Sequence, residues 1–352
     1  MKKINYSFQG LRGLFALGVM FSHCYFLKDF AQSSIIFNSA LCKLANVSFF
    51  FMISGFFTIQ SKSADIPFWQ YIKKKMLRIY PLYIIVLALF VGINFLKNNI
   101  STFIDWIYLG LNISLLQGWG GLAAVGKFYT IAWFLSSLLF CYIIGYWLIK
   151  LKNQNDGLFW KLLYILTAVL LLFKCFTAFF LPTDDLGYYL CCLLPLAGFT
   201  DFLIGALLAH LYKSKTAFTP KAQMFFQIFS FAILILSFFM KLHLPINYSR
   251  AFLMIPANVL LILAFSTETV FSKKVFGNKF MLFLGNISFE VYLIHFIVIS
   301  LITKLNFFNI ISLRISPFLT LLLCVLITIL CAQIYKRIYN YVTKIFKLFG
   351  DR

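Results

Sequence analysis

Ten runs of roughly 20 apolar residues, set apart by short basic linkers, constrain this 352-residue chain more than any other feature. Coiled as a helix, a run of that length matches the hydrocarbon thickness of a bilayer, where the backbone has no water to bond and must satisfy its own polar groups. The runs cover residues 9–27, 41–60, 77–95, 131–149, 158–180, 189–211, 224–240, 251–266, 280–302 and 315–334. They predict an all-α, polytopic transmembrane bundle of about ten helices, forming one integral-membrane domain over residues 1–352. A β-barrel is excluded, because its strands alternate in polarity over about 10 residues rather than staying apolar over twice that length. Charged residues make up 12% of the chain and mean hydropathy is +0.91, which exclude a soluble globular enzyme and a disordered chain.

The formal net charge is +21. On a soluble protein this would point to nucleic acid. Here the cations cluster between apolar runs, so the expected partner is the anionic lipid bilayer and not nucleic acid. With the N-terminus placed in the cytoplasm, 21 Lys and Arg fall on the inside and 8 on the outside, so both termini are expected to be cytoplasmic. The apolar stretch near 103–117 is too short to span, and glycines at 118, 120, 121 and 126 follow it, so it reads as a re-entrant or interfacial segment. In the tail, 335–352, Ile338, Val342, Ile345 and Phe349 share a stripe apart from Lys336, Arg337, Lys344 and Lys347, the pattern of an amphipathic helix on a membrane surface. No soluble domain, cleavable leader or inverted repeat is expected. The eight cysteines, Cys42 among them, lie in or beside apolar runs without metal-binding spacing, so they read as small buried hydrophobes and no metal is expected.

Ionisable groups inside a membrane are costly and mark candidate sites. Arg12 and His23 are eleven residues apart in the first run, which on a helix leaves them within about 20° on one face and about 16 Å apart. An imidazole facing a protein-lined cavity can act as a general base on a hydroxyl near neutral pH, and a guanidinium near the entrance can hold a phosphate. Packing and snorkelling explain the same two residues without chemistry. Ahead of the third run, Lys75 and Arg78 share a face, Lys73 and Lys74 add charge, and Pro81 is expected to break or kink the helix. The sixth run carries Asp201. The ninth carries Ser288, Tyr292 and His295 on one face, with Glu290 turned away by about 200°. Glu290 or Asp201 is a candidate to orient His23, as a carboxylate orients a catalytic imidazole elsewhere.

In this order the motifs resemble the acyltransferase 3 family of bacterial membrane-bound O-acyltransferases. The matching elements are Leu11-Arg12-Gly13 through His23, Phe50-Phe51-Met52-Ile53-Ser54-Gly55-Phe56, Lys75-Met76-Leu77-Arg78-Ile79-Tyr80-Pro81, Trp133-Phe134-Leu135, Phe202-Leu203-Ile204-Gly205, and Leu284 to His295. The resemblance covers nearly the whole chain. It implies an enzyme of the bacterial cytoplasmic membrane that takes an acyl group, usually acetyl, from cytoplasmic acyl-CoA and passes it to a hydroxyl of a cell-surface or lipid-linked carbohydrate. It implies His23 as the base, and Arg12, Lys75 and Arg78 as ligands of the CoA phosphates. The chain departs from the family pattern in four places. Lys75 stands where the clamp has Arg, and Ser137 and Leu138 stand where some members carry Glu. Glu290 replaces a small or polar residue, and Tyr339-Asn340-Tyr341 replace a terminal E-x-P. The competing class is a transporter or flippase of a lipid-linked sugar, working through Arg12, Lys174 and Glu290.

Overall fold

In the computed structural model the described residues are 5–24, 44, 46–61, 65–214, 218–307 and 317–350. The end of the first expected span, the starts of the second and tenth, Cys42, and the cations Lys2, Lys3, Lys28, Lys43, Lys62, Lys215, Arg314 and Arg352 lie outside them. The described residues are helical throughout, with no strand among them. The main helices are α1 (Tyr6–Ser22), α2 (Val47–Ile59), α3 (Phe68–Leu96), α4 (Phe103–Ile113), α5 (Trp133–Gln154), α6 (Asp156–Phe180) and α7 (Pro195–Ser214). They continue with α8 (Pro220–Met240), α9 (Met254–Phe265), α10 (Val270–Phe276), α11 (Lys279–Asn286), α12 (Ser288–Phe307) and α13 (Pro317–Gly350). Local chemistry sets the starts. Asn5, Asn155, Thr219 and Asn278 each accept a backbone N–H of the first turn, at Phe8, Leu158, Ala222 and Met281 respectively.

Each of the ten expected spans overlies a helix. Among the described residues, seven helices are long and apolar enough, or eight if α11 and α12, bent by 68° at their junction, count as one span. The two others are short: α1 has 17 residues and α2 has 13. Three details refine these expectations. Of the break or kink expected at Pro81, there is no break: the helix runs through it as α3, which a membrane helix tolerates when neighbours re-satisfy the freed carbonyl. The helix expected in the tail continues the tenth span as α13 without interruption. The first helix stops at Ser22 rather than extending to residue 27, so His23 is its C-cap and not a mid-helix residue.

The structure divides into two compact units. The terminal unit holds α1 and α10–α13, and the central unit holds α2–α9. Glycines set the closest packing in each. In the terminal unit a Cβ at Gly13 would lie 2.6 Å from the backbone nitrogen of Gly285, so α1 and α11 meet backbone to backbone. In the central unit a Cβ at Gly55 or Gly205 would overlap the carbonyls of Phe202 and Met52, which welds α2 to α7 in the same way.

The stretch expected as a re-entrant or interfacial segment is α4, a short apolar helix, followed by short turns. With 11 residues, α4 reaches only about 16 Å. Thr102 and Asp105 form a capping box at its start. At its end Leu115 has φ +58°, with its N–H on Asn112 O and that of Leu116 on Leu111 O, a Schellman turn with leucine where glycine is usual. Leucine in the left-handed region is unfavourable by about 1–2 kcal/mol. Burial of its side chain offsets this, as do Tyr80 and Tyr83, whose hydroxyls donate from α3 to Ile113 O and Asn112 O.

Candidate active site

Where α1 stops determines what His23 can do. Its backbone N–H turns to Met20 O, so the Val19 carbonyl, which would take that N–H in a continuing helix, is left for side chains. It accepts from Ser22 Oγ at 2.6 Å and lies 2.9 Å from His23 Nδ1. On the other side, His23 Nδ1 lies 3.2 Å from Nε2 of His295 on α12. His295 is fully buried, and its Nδ1 lies 3.1 Å from Val291 O.

These contacts assign the tautomers. A carbonyl is an acceptor only, so the nitrogen facing it must carry the proton. His295 is then the Nδ1–H tautomer, with its lone pair on Nε2. His23 is likewise the Nδ1–H tautomer, with one N–H shared between Val19 O and His295 Nε2. The reverse assignment, a proton on His295 Nε2 donated to His23 Nδ1, would set two lone pairs against two carbonyls. The basic lone pair of His23 is therefore on Nε2. Phe296 meets the His23 ring edge-on at 5.8 Å, and His295 is tilted against it at 5.1 Å between centroids, which fixes the ring plane. Next to the pair lies a dry layer of Met20, Cys24, Ile299 and Cys324.

Arg12 is half-buried on α1. The two acidic candidates are each held by a lysine. Glu290 Oε1 accepts from Lys336 Nζ at 2.7 Å, while its Oε2 is buried without a hydrogen-bond partner. Asp201 belongs to the central unit, where Lys174 Nζ bonds its Oδ1 at 2.9 Å in the interior. The side chain set against His23 Nδ1 is thus an imidazole, where the sequence reading expected Glu290 or Asp201.

The basic cluster at the start of α3 also differs from expectation. The Lys75 ammonium is turned onto aromatic faces, 4.3 Å from the Tyr142 ring and 5.3 Å from the Tyr71 ring. Lys73, Lys74 and Arg78 are exposed, and Lys74 and Arg78 sit one turn apart. The partnership of His23 with His295, and that of Glu290 with Lys336, escaped the sequence reading. The i, i+4, i+7 face through Ser288, Tyr292 and His295 was the signal for the first.

The acyltransferase domain model of the acyltransferase 3 family matches residues 5–337, across both units. The chain belongs to that family. Neither the search of curated proteins nor that of solved structures found a match. This acyltransferase is a multi-pass membrane protein, and the match includes His23, Arg12, Arg78 and His295.

Proposed function

We propose that this acyltransferase moves an acyl group, acetyl in the first instance, from cytoplasmic acyl-CoA to a hydroxyl of a cell-surface or lipid-linked carbohydrate, in a bacterial cytoplasmic membrane with both termini inside. The observation that carries the reading is the seat of His23 Nδ1 between Val19 O and His295 Nε2, which leaves Nε2 as the basic nitrogen, within a chain of this family. His23 Nε2 takes the proton of the acceptor hydroxyl as its oxygen attacks the thioester carbonyl. The new C–O bond forms, the C–S bond breaks, and the imidazolium returns its proton to the departing thiolate. A base so held contributes about 10²–10⁴ in rate. Exposed Arg78 and Lys74 suit the donor's phosphates, and Arg12 is a further phosphate ligand of the same reading. Lys75, drawn onto Tyr142, suits that task less well. Lys174 and Glu290, the residues a transporter would use, are both taken up in ion pairs, so the enzyme reading is preferred.

The test compares proton NMR spectra of surface carbohydrate from wild type, a deletion strain, and the deletion strain carrying His23→Ala. O-acetyl signals present only in wild type support the reading and identify the acceptor. Unchanged signals in the deletion strain refute the carbohydrate acceptor. Full recovery with His23→Ala refutes His23 as base.

A further inference from the structure

The fully buried His295 has no role in the reaction as written above, yet it is the side chain nearest the reacting imidazole's far nitrogen. We propose that His295 is the positioning residue of His23, a neutral imidazole that does for the base what a carboxylate does in a Ser-His-Asp triad. The inference rests on the reading of His23 as the base.

Three observations carry it. The Nε2 of His295 lies 3.2 Å from His23 Nδ1, within hydrogen-bond reach. His295 Nδ1 is committed to Val291 O, which leaves Nε2 as an acceptor. The rings are tilted by 45° with centroids 5.1 Å apart, so they are not stacked face to face. When His23 Nε2 takes a proton, the charge spreads over the ring and the Nδ1–H becomes a stronger donor. The lone pair of His295 and the carbonyl of Val19 then share that charge-assisted bond. The proton stays on His23, because a second imidazolium in a fully buried position would have to be desolvated. A neutral acceptor also suits a site beside an apolar layer, where a lone carboxylate would have to be paired. Glu290 is held by Lys336 instead.

The same contact accounts for the tautomer. In water histidine favours the Nε2–H form, which would leave the basic nitrogen of His23 facing Val19. Two acceptors converging on Nδ1 reverse that preference and present Nε2 to the acceptor hydroxyl.

The experiment uses membrane vesicles of the source bacterium, in which donor acetyl-CoA is supplied and O-acetyl transfer is read on the endogenous acceptor. Variants are His295→Leu, which removes the acceptor nitrogen, and His295→Gln, whose amide oxygen reaches about as far as Nε2. His295→Leu is expected to lower kcat about 10- to 100-fold, less than the loss of a triad aspartate because the lost partner is uncharged. The KM for acetyl-CoA stays within about twofold, since His295 does not touch the donor. His295→Gln is expected to recover most of the loss. In ¹⁵N spectra of histidine-labelled wild-type protein, His23 carries its proton on Nδ1. Equal loss in folded Leu and Gln variants overturns the proposal, as does wild-type activity in His295→Leu while His23→Ala is inactive. Should His295→Leu fail to fold, the spectrum and the Gln variant decide: a His23 protonated on Nε2 overturns it. Activity retained in His23→Ala instead overturns the reading of His23 as the base.

Discussion

In the central unit Lys174 and Asp201 face each other at 2.9 Å with 4% and 6% of their side chains exposed. In the terminal unit His295 Nε2 faces His23 Nδ1 at 3.2 Å, and the Nδ1 of each ring also faces a backbone carbonyl. The first pair joins α6 and α7, 27 residues apart, and the second joins the end of α1 to α12, 272 residues apart. Both lie where unpaired polar groups are expensive. The first pair has full charges that neutralise each other, so neither is available to take a proton without stranding the other. The second pair has no net charge and keeps a basic nitrogen. Burial alone therefore does not mark the reactive site; what marks it is a titratable group whose partner leaves one protonation step open.

The largest effect expected from this contrast is on stability. Lys174→Ala strands the Asp201 carboxylate in the interior and is expected to destabilise the protein by about 3–5 kcal/mol. A Lys174→Met/Asp201→Leu double variant, with both charges gone, is expected to return close to wild-type thermal unfolding in detergent and to keep its transfer activity. A double variant that is stable yet inactive would move Asp201 from scaffold to chemistry and break the comparison.

The Glu290–Lys336 pair sharpens it as an intermediate case. Its lysine is 18% exposed, and one oxygen of Glu290 already lacks a partner. Lys336→Ala is expected to destabilise by about 1–3 kcal/mol, a smaller drop in unfolding temperature than that of Lys174→Ala. A larger drop would mean that the deeper pair is not the more important of the two.

The smallest effect is confined to α4 and the turns that flank it. The Lys127 ammonium beside Asp105, then the N–H groups of Thr102 and Ser101, hold the Asp105 carboxyl below the usual carboxylate range. A depressed value in the folded state means that the carboxylate stabilises fully above the unfolded value near pH 4 and progressively less as pH falls through the folded one. Hydrogen exchange over residues 98–127 is expected to lose protection on acidification below about pH 4. Asp105→Asn should already lack that acid-sensitive part at neutral pH. Protection that rises on acidification would contradict the assignment.

The apolar runs were legible because their length and periodicity are local, and each one became a helix. The face shared by Ser288, Tyr292 and His295 was legible for the same reason. What this face meets was not, because 272 residues separate His295 from His23 and no local pattern encodes that juxtaposition. Lys174 and Asp201 illustrate the same limit: both stood out as charges in apolar runs, but nothing in either run names the other. The end of α1 was misjudged because residues beyond Ser22 remain apolar, and composition does not reveal where the hydrogen-bond ladder stops. The break expected at Pro81 failed because the rule against interior proline comes from water, where the freed carbonyl has a better alternative than continuing the helix.

The 34 unbroken residues of α13 extend about 51 Å, well beyond the roughly 30 Å of hydrocarbon. Lys336 on Glu290, together with buried Cys324, Thr328 and Ala332, clamps the helix as a dial is clamped. Every residue beyond the clamp takes its compass bearing from it, including exposed Tyr341 and Lys344. One residue inserted after Arg337 would swing both by about 100°, while seven would bring them back to within about 20°. The bearing of the last turns is therefore written upstream, in the packed turns and at Glu290 on another helix.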